Sequence, residues 1–176
     1  NLLSAIKNIS NQGDDSHYRV IADHIRSTAF LIADGVTPGN EGRGYVLRRI
    51  IRRALRHGYE LEIQTPFFFS LIVPLIKEMG SVYPELDNKS DYIQRIIQME
   101  EERFASTLSQ GMRLLEKEIA SLSSDKLSGD FIFKLYDTYG FPVDMTKDIA
   151  RNHNLDVDLD GFDKAMENQK SMARKA

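Results

Sequence analysis

The run from Pro38 to Gly58 constrains this chain more than any other stretch. It opens as a glycine-punctuated turn, Pro38-Gly39-Asn40-Glu41-Gly42-Arg43-Gly44, and continues as Tyr45-Val46-Leu47-Arg48-Arg49-Ile50-Ile51-Arg52-Arg53-Ala54-Leu55-Arg56-His57. At about 100° per residue, Leu47, Ile50, Ile51, Ala54 and Leu55 fall on one side of a helix and Arg48, Arg49, Arg52, Arg53 and Arg56 on the other. Gly58 is expected to stop it. Every basic position is Arg, whose planar fork suits bidentate contacts to phosphate or carboxylate. Two readings follow: a face that binds an external anion, or guanidinium groups that pair with the protein's own acids.

A formal net charge of only −3 gives no global basic field, so any affinity for nucleic acid must come from local segregation of charge, here the Arg face. The 176 residues, 41% of them apolar, suffice for one domain or two small ones. There is no cysteine, which excludes disulfides and Cys-ligated zinc within the chain. No apolar run approaches the roughly 20 residues of a membrane span, and the chain reads as soluble. It starts at Asn1 in what already looks like helix, as a piece of a longer polypeptide would.

The remaining pattern is helical throughout. Leu2, Leu3 and Ile6 suggest one helix, and Asn11 to Asp15 a polar break. Ser16 is placed to cap a second helix through Tyr18, Ile21, Ala22, Ile25, Ala29 and Ile32, which Gly35 ends. His24 sits beside Asp23, but adjacent helix positions do not face each other, so a structural role is expected. Thr65-Pro66 reads as a cap with proline in the first turn of a Phe67–Val73 helix that Pro74 divides, and the phenylalanines read as core. Gly80 to Lys89 is expected to be a loop. One long helix follows from Ser90 to about Leu122, roughly 45 Å, with Ile93, Ile97, Phe104, Leu108, Met112 and Leu115 along a seam. Glu100, Glu101, Glu102 and Arg103 are expected to interrupt that seam or turn outward as a solvated patch. Asp130 starts a short helix that Gly140 closes. Asp137 lies in its last turn, where the negative end of the helix dipole disfavours an acid by up to about 1 kcal/mol. Either an arginine compensates it or it is kept for an outside donor. Val143–His153 and Phe162–Lys175 complete the set, with Asp158 or Asp160 as a cap. With no sustained period-two alternation the class is all-α, a helix-bundle-like domain with one long helix.

Gly39, Gly42 and Gly44 invite a phosphate-loop reading, but the Lys-Ser/Thr ending and a preceding strand are missing. No Ser-His-Asp, Cys-His or paired-carboxylate arrangement can be drawn from the spacing, so no catalytic residue is assigned.

Three runs are more specific: Arg19 to Ser27, Phe30 to Val36, and Asn40-Glu41-Gly42-Arg43-Gly44-Tyr45 through Ala54. With Leu135-Tyr136-Asp137-Thr138-Tyr139-Gly140-Phe141-Pro142-Val143-Asp144, in that order, the chain resembles alanyl-tRNA synthetase of the bacterial type over nearly its whole length. The resemblance implies a helical tRNA-recognition region that follows a class II catalytic core: residues 1–12 as the end of that core, 13–125 as a first helical subdomain and 126–176 as a second. It implies a cytoplasmic enzyme that joins alanine to tRNA(Ala) using ATP and Mg²⁺, with a zinc site in an editing domain. These cofactors and motifs are expected outside this chain, which alone should be inactive. The implied partners are the tRNA(Ala) acceptor stem and the catalytic and editing domains of the same polypeptide, with neither DNA nor a membrane.

In the family, a G·U wobble pair at the third position of the acceptor stem is read by an Asn and an Asp, which match Asn40 and Asp137. Arg43, Arg48, Arg49, Arg52, Arg53 and Arg56 are expected to hold the phosphates of the tRNA backbone without reading sequence. The chain departs from the family at Gly39, where many members carry Ser, and at Gly42, where some carry Asn. The chemistry is consistent with the carry-over. A-form RNA offers its base edges in the shallow minor groove, where a G·U wobble leaves the guanine 2-amino group without a base partner. An ionised Asp only accepts hydrogen bonds, whereas an Asn both donates and accepts. The rival readings are a helical DNA-binding module with the Arg helix in a major groove, and a bundle whose arginines meet acidic protein partners.

Overall fold

A computed structural model describes residues 1–10 and 13–175, so Asn11 and Gln12 of the expected polar break lie outside the described residues. The chain divides into two compact units, Asn1–Ser106 and Thr107–Ala176. The division falls inside the long helix rather than at the expected 125/126 boundary, and residues 1–10 pack within the first unit. The described residues are almost wholly helical. None of their helices is long and apolar enough to cross a membrane.

The first unit contains α1 (Leu2–Ile9), α2 (Asp15–Ala33), α3 (Gly42–Glu60), a 3-10 turn (Phe68–Leu71), α4 (Ile72–Met79), α5 (Pro84–Asn88) and the opening half of α6 (Ser90–Ser121). Helices α2 and α3 pack along each other through Ile21, Ile25 and Ile32 against Leu47, Ile51 and Leu55, all fully buried. Each such side chain contributes about 1.5–3 kcal/mol by leaving water. Phe67 and Phe68 join this core as expected. Helix α1 lies on α2 and α4, and the Leu2 N–H donates to Glu78 Oε1 at 2.6 Å. Lys89 Nζ donates at 2.6 Å to the carbonyl of Ala33, at the negative end of α2.

Several local expectations give way to tertiary packing. Gly58 does not stop α3, which runs on to Glu60; the chain turns at Glu62, whose φ is 55°. A Cβ at residue 58 would lie 2.4 Å from the ring of Phe67, so this glycine admits an aromatic side chain. Thr65-Pro66 is a cis peptide ahead of the 3-10 turn, and Pro74 sits in the first turn of α4, where its missing N–H has no helical partner to lose. The Gly80–Lys89 loop contains α5, begun by Pro84. Asp14, not Ser16, caps α2, accepting the Ser16 N–H at 3.1 Å. Glu100 and Glu101 do not turn outward: they are 3% and 0% exposed, while Glu102 and Arg103 do face solvent.

The second unit holds the rest of α6, then β1 (Lys126–Leu127), α7 (Gly129–Tyr139), α8 (Val143–Asn152), β2 (Asp156–Val157) and α9 (Leu159–Lys175). The strands pair in parallel, Lys126 with Asp156 and Leu127 with Val157. At two residues each they leave no periodic signal in the sequence. They bring the starts of α7 and α9 together, where a Cβ on Gly129 would lie 2.2 Å from the Gly161 backbone. Ser128 caps α7 through the Phe131 N–H at 3.2 Å, ahead of the expected Asp130. Asp158 caps α9 through the Gly161 N–H at 3.0 Å, so that helix starts three residues before Phe162. Gly140, at φ 70°, closes α7 as expected and sends Phe141 to bury its ring against Gly111 of α6.

Candidate nucleic-acid interface

The turn before α3 is clasped by its own backbone. The Gly39 N–H donates to the Gly44 carbonyl at 3.0 Å, and a Cβ on Gly44 would lie 2.6 Å from the Thr37 carbonyl oxygen. Gly42 has φ 56°, a left-handed conformation that Gly adopts freely and Asn more readily than most residues. This geometry presents Asn40 at the surface. It also commits the Gly39 N–H that a phosphate loop would need. The oxygen of the Asn40 amide accepts from Nη1 of Arg48.

Arg48 and Arg52 do not form an open basic face. Their Nε atoms donate to the same oxygen of Glu100, at 3.0 and 2.9 Å, and their side chains are 12% and 11% exposed. The Arg52 guanidinium also lies 4.9 Å from the Phe104 ring centroid, and its pKa is lowered by burial, with Glu100 opposing the shift. Arg56 is buried, 3.7 Å from Glu60 one turn on. Arg49 and Arg53 are half-buried, and Arg43 is exposed. Pairing with the protein's own acids is therefore the observed arrangement for Arg48, Arg52 and Arg56. A basic helix laid in a DNA major groove needs these groups on an open face. An apolar-floored cleft of about 140 Å³ lies beside Arg48, bounded by Thr37, Pro38, Met99, Glu100 and Arg103.

Asp137 is exposed on the last turn of α7, and the group that answers it is an amide rather than an arginine. Nε2 of Gln169 on α9 donates to its Oδ1 at 2.8 Å. A carboxylate has about four acceptor sites, so Oδ2 remains for a donor from outside.

His17, His24 and His57 pack within the first unit. His24 Nδ1 does lie 3.4 Å from Asp23 Oδ2; burial first, then Arg53, lowers its pKa. His17 and His57 approach through their Nδ1 atoms at 2.7 Å, which requires one ring to donate and the other to accept. Burial, followed by the charge of Arg56, pushes the His57 pKa down to about 3 from an ordinary 6.5. The unfolded chain therefore binds the extra proton first. The stability this imidazole contributes is complete above pH 6.5 and is lost as pH falls toward about 3, at up to about 1.4 kcal/mol per unit. Urea unfolding of His57→Gln, measured from pH 7 to pH 4, is expected to show a shallower acid loss than the parent; parallel curves would refute the assignment.

Sequence reasoning missed Glu100 and Gln169. For Glu100 a signal existed: along the seam Ile93, Ile97, Phe104, Leu108, only positions 100 and 101 fill the turn between Ile97 and Phe104. For Gln169 there was none, since its contact depends on how α9 crosses α7.

Among the described residues no group of three or more His, Asp or Glu side chains could hold a metal ion. The family model described as tRNA synthetases class II (A) matches residues 1–176. The alanine–tRNA ligase of Methylococcus capsulatus is 57% identical over 178 residues, covering 100% of this chain and 20% of that protein. That of Nitrosococcus oceani is 53% identical over 174 residues, 99% of this chain and 20% of the relative. That of Colwellia psychrerythraea is 58% identical over 158 residues, 90% of this chain and 18% of the relative. The chain thus spans about a fifth of the length of the curated relatives it matches.

Proposed function

Since the chain belongs to the alanyl-tRNA synthetases of the bacterial type, we propose that it is the part of a cytoplasmic alanine–tRNA ligase that recognises the acceptor stem of tRNA(Ala), with Asn40 and Asp137 reading the G·U wobble pair at its third position. The observation that carries this reading is the state of the two side chains. Both are exposed, and each is held by a neighbour at one oxygen, Asn40 by Arg48 and Asp137 by Gln169. Each still has a hydrogen-bonding group to offer: the NH₂ of Asn40 as a donor, and Oδ2 of Asp137 as an acceptor for the guanine 2-amino group. In a G·C pair one N–H of that amino group is already bound to the cytosine carbonyl, so a carboxylate docked against it finds one donor fewer and is less well satisfied for the same desolvation.

Of the six arginines expected at the tRNA backbone, Arg43 is the exposed one, and we assign a phosphate contact to it. Arg48, Arg52 and Arg56 act first on the fold, where they neutralise Glu100 and Glu60. ATP activates alanine in the whole ligase. In this chain the Gly39 N–H is already given to the Gly44 carbonyl, and among the described residues no group of three or more His, Asp or Glu side chains could hold a metal ion. We place that chemistry in the catalytic and editing domains of the same ligase.

The test is binding of an acceptor-stem RNA hairpin against a DNA duplex of the same length, titrated over salt. The chain is expected to bind the RNA with a salt-dependent affinity and the DNA far more weakly. Arg43→Ala should reduce the slope of log K against log salt by about one unit, equally for G·U and G·C hairpins. Equal binding of DNA and RNA would sink the proposal.

A further inference from the structure

We propose that Glu100 is a positioning residue that fixes the Asn40 side chain through Arg48; this rests on the reading of Asn40 as a base-pair contact. The contacts are continuous. The buried Glu100 carboxylate accepts from Nε of Arg48 at 3.0 Å, and Nη1 of the same guanidinium donates to Oδ1 of Asn40. A guanidinium is planar and rigid, so anchoring Nε sets the direction in which Nη1 points. Arg52 grips the same Glu100 oxygen at 2.9 Å and lies over Phe104, so the carboxylate is braced from a second side.

The consequence falls on the amide of Asn40. Its two ends have the same shape but opposite hydrogen-bonding character, and a half-turn about the last bond exchanges them. Arg48 has only donors to give, so it selects the state in which the oxygen is bound and the NH₂ is presented to a ligand. The clasped turn fixes the backbone of Asn40 but not its amide, because Gly39 before it and Gly42 two residues after it have no side chain to hold it. The polarity of Asn40 as a donor is therefore set from the buried carboxylate of α6, not within the turn. A donor at this place suits the acceptor atoms of a minor-groove edge, the counterpart of the acceptor that Asp137 offers.

A double-mutant cycle in the complete ligase tests this, with microhelix RNAs bearing G·U or G·C at the third position. Asn40→Ala and Glu100→Gln are each expected to lower kcat/KM for the G·U RNA about tenfold, and the double variant about tenfold as well, because the second change has nothing left to position. Arg48→Lys keeps the charge beside Glu100 but lacks the fork, and is expected to reproduce the tenfold loss even where Glu100→Gln folds poorly. Thermal unfolding of each variant separates a folding defect from a positioning one. If Asn40→Ala is impaired while Glu100→Gln and Arg48→Lys leave G·U charging intact, or if their losses multiply with that of Asn40→Ala, the positioning role is overturned and the reading of Asn40 stands. If Asn40→Ala charges both RNAs like the parent, the reading of Asn40 itself fails and takes this role with it.

Discussion

Asp137→Ala, introduced into the complete ligase, is expected to erase most of the preference for G·U over G·C acceptor stems. The parent carboxylate meets an amino group with both N–H donors free in a G·U pair and with one already bound to cytosine in a G·C pair, a difference of one hydrogen bond to a charged group, worth up to about 3 kcal/mol. That corresponds to up to about 150-fold in relative kcat/KM. Alanine has no acceptor to lose, so both stems should be charged at similar, low rates. Because Asp137 is exposed on α7 and its one described partner is the amide of Gln169, the substitution leaves no buried ion unpaired and should leave the second unit folded. Charging kinetics on the two RNAs decide the matter: a ratio equal to the parent's would remove Asp137 from the recognition surface.

The largest stability effect is expected at Glu101. This side chain is 0% exposed, and its two oxygens accept the backbone N–H groups of Phe67 and Phe69 at 2.9 and 2.7 Å. These are donors at the start of the 3-10 turn, where no earlier carbonyl can serve them. Glu101→Ala leaves them buried and unsatisfied and opens a void, a loss of about 3 kcal/mol or more. Glu101→Gln retains one acceptor and should lose less. Burial raises the pKa of Glu101 above its ordinary 4.5, with the backbone donors opposing the shift. The folded state thus keeps its proton longer than the unfolded chain does, and the stability Glu101 contributes is greatest below pH 4.5 and declines as pH rises through the folded value. The advantage of the parent over Glu101→Gln should narrow upward from pH 4.5 in denaturant titrations, and an advantage that widens instead would refute the sign. His57 acts in the opposite sense over part of the same range, so each slope must be read from its own variant.

The two glutamates also mark where sequence reasoning stopped. The Arg helix is legible from Leu47, Ile51, Ala54 and Leu55, because a helix repeats over three or four residues and its buried face is written locally. The basic side carried two readings that nothing within residues 38–58 could separate. The acids that decide between them, Glu100 and Glu60, lie 48 and 4 positions beyond the arginines they meet, at Arg52 and Arg56, and the nearer pair alone gives only a marginal surface contact. Gly58 shows the same limit: as local punctuation it ends a helix, while in the packed unit it makes room for Phe67. Asp137 was visible as an acid at the wrong end of a dipole, but its partner Gln169, 32 residues away, was not.

By itself the sequence determined an all-α chain, the places of most helices, the apolar core positions, and the kinship with the alanyl-tRNA synthetases. All of these rest on short-range periodicity or on residue order along the chain. Tertiary structure alone decided that Arg48 and Arg52 of α3 face Glu100, that Glu100 and Glu101 lie inside, and that Asn40 is held by Arg48. The reason is that a charge enters the interior only where opposite charge or hydrogen-bond donors already stand, and folding brings those partners from distant parts of the chain.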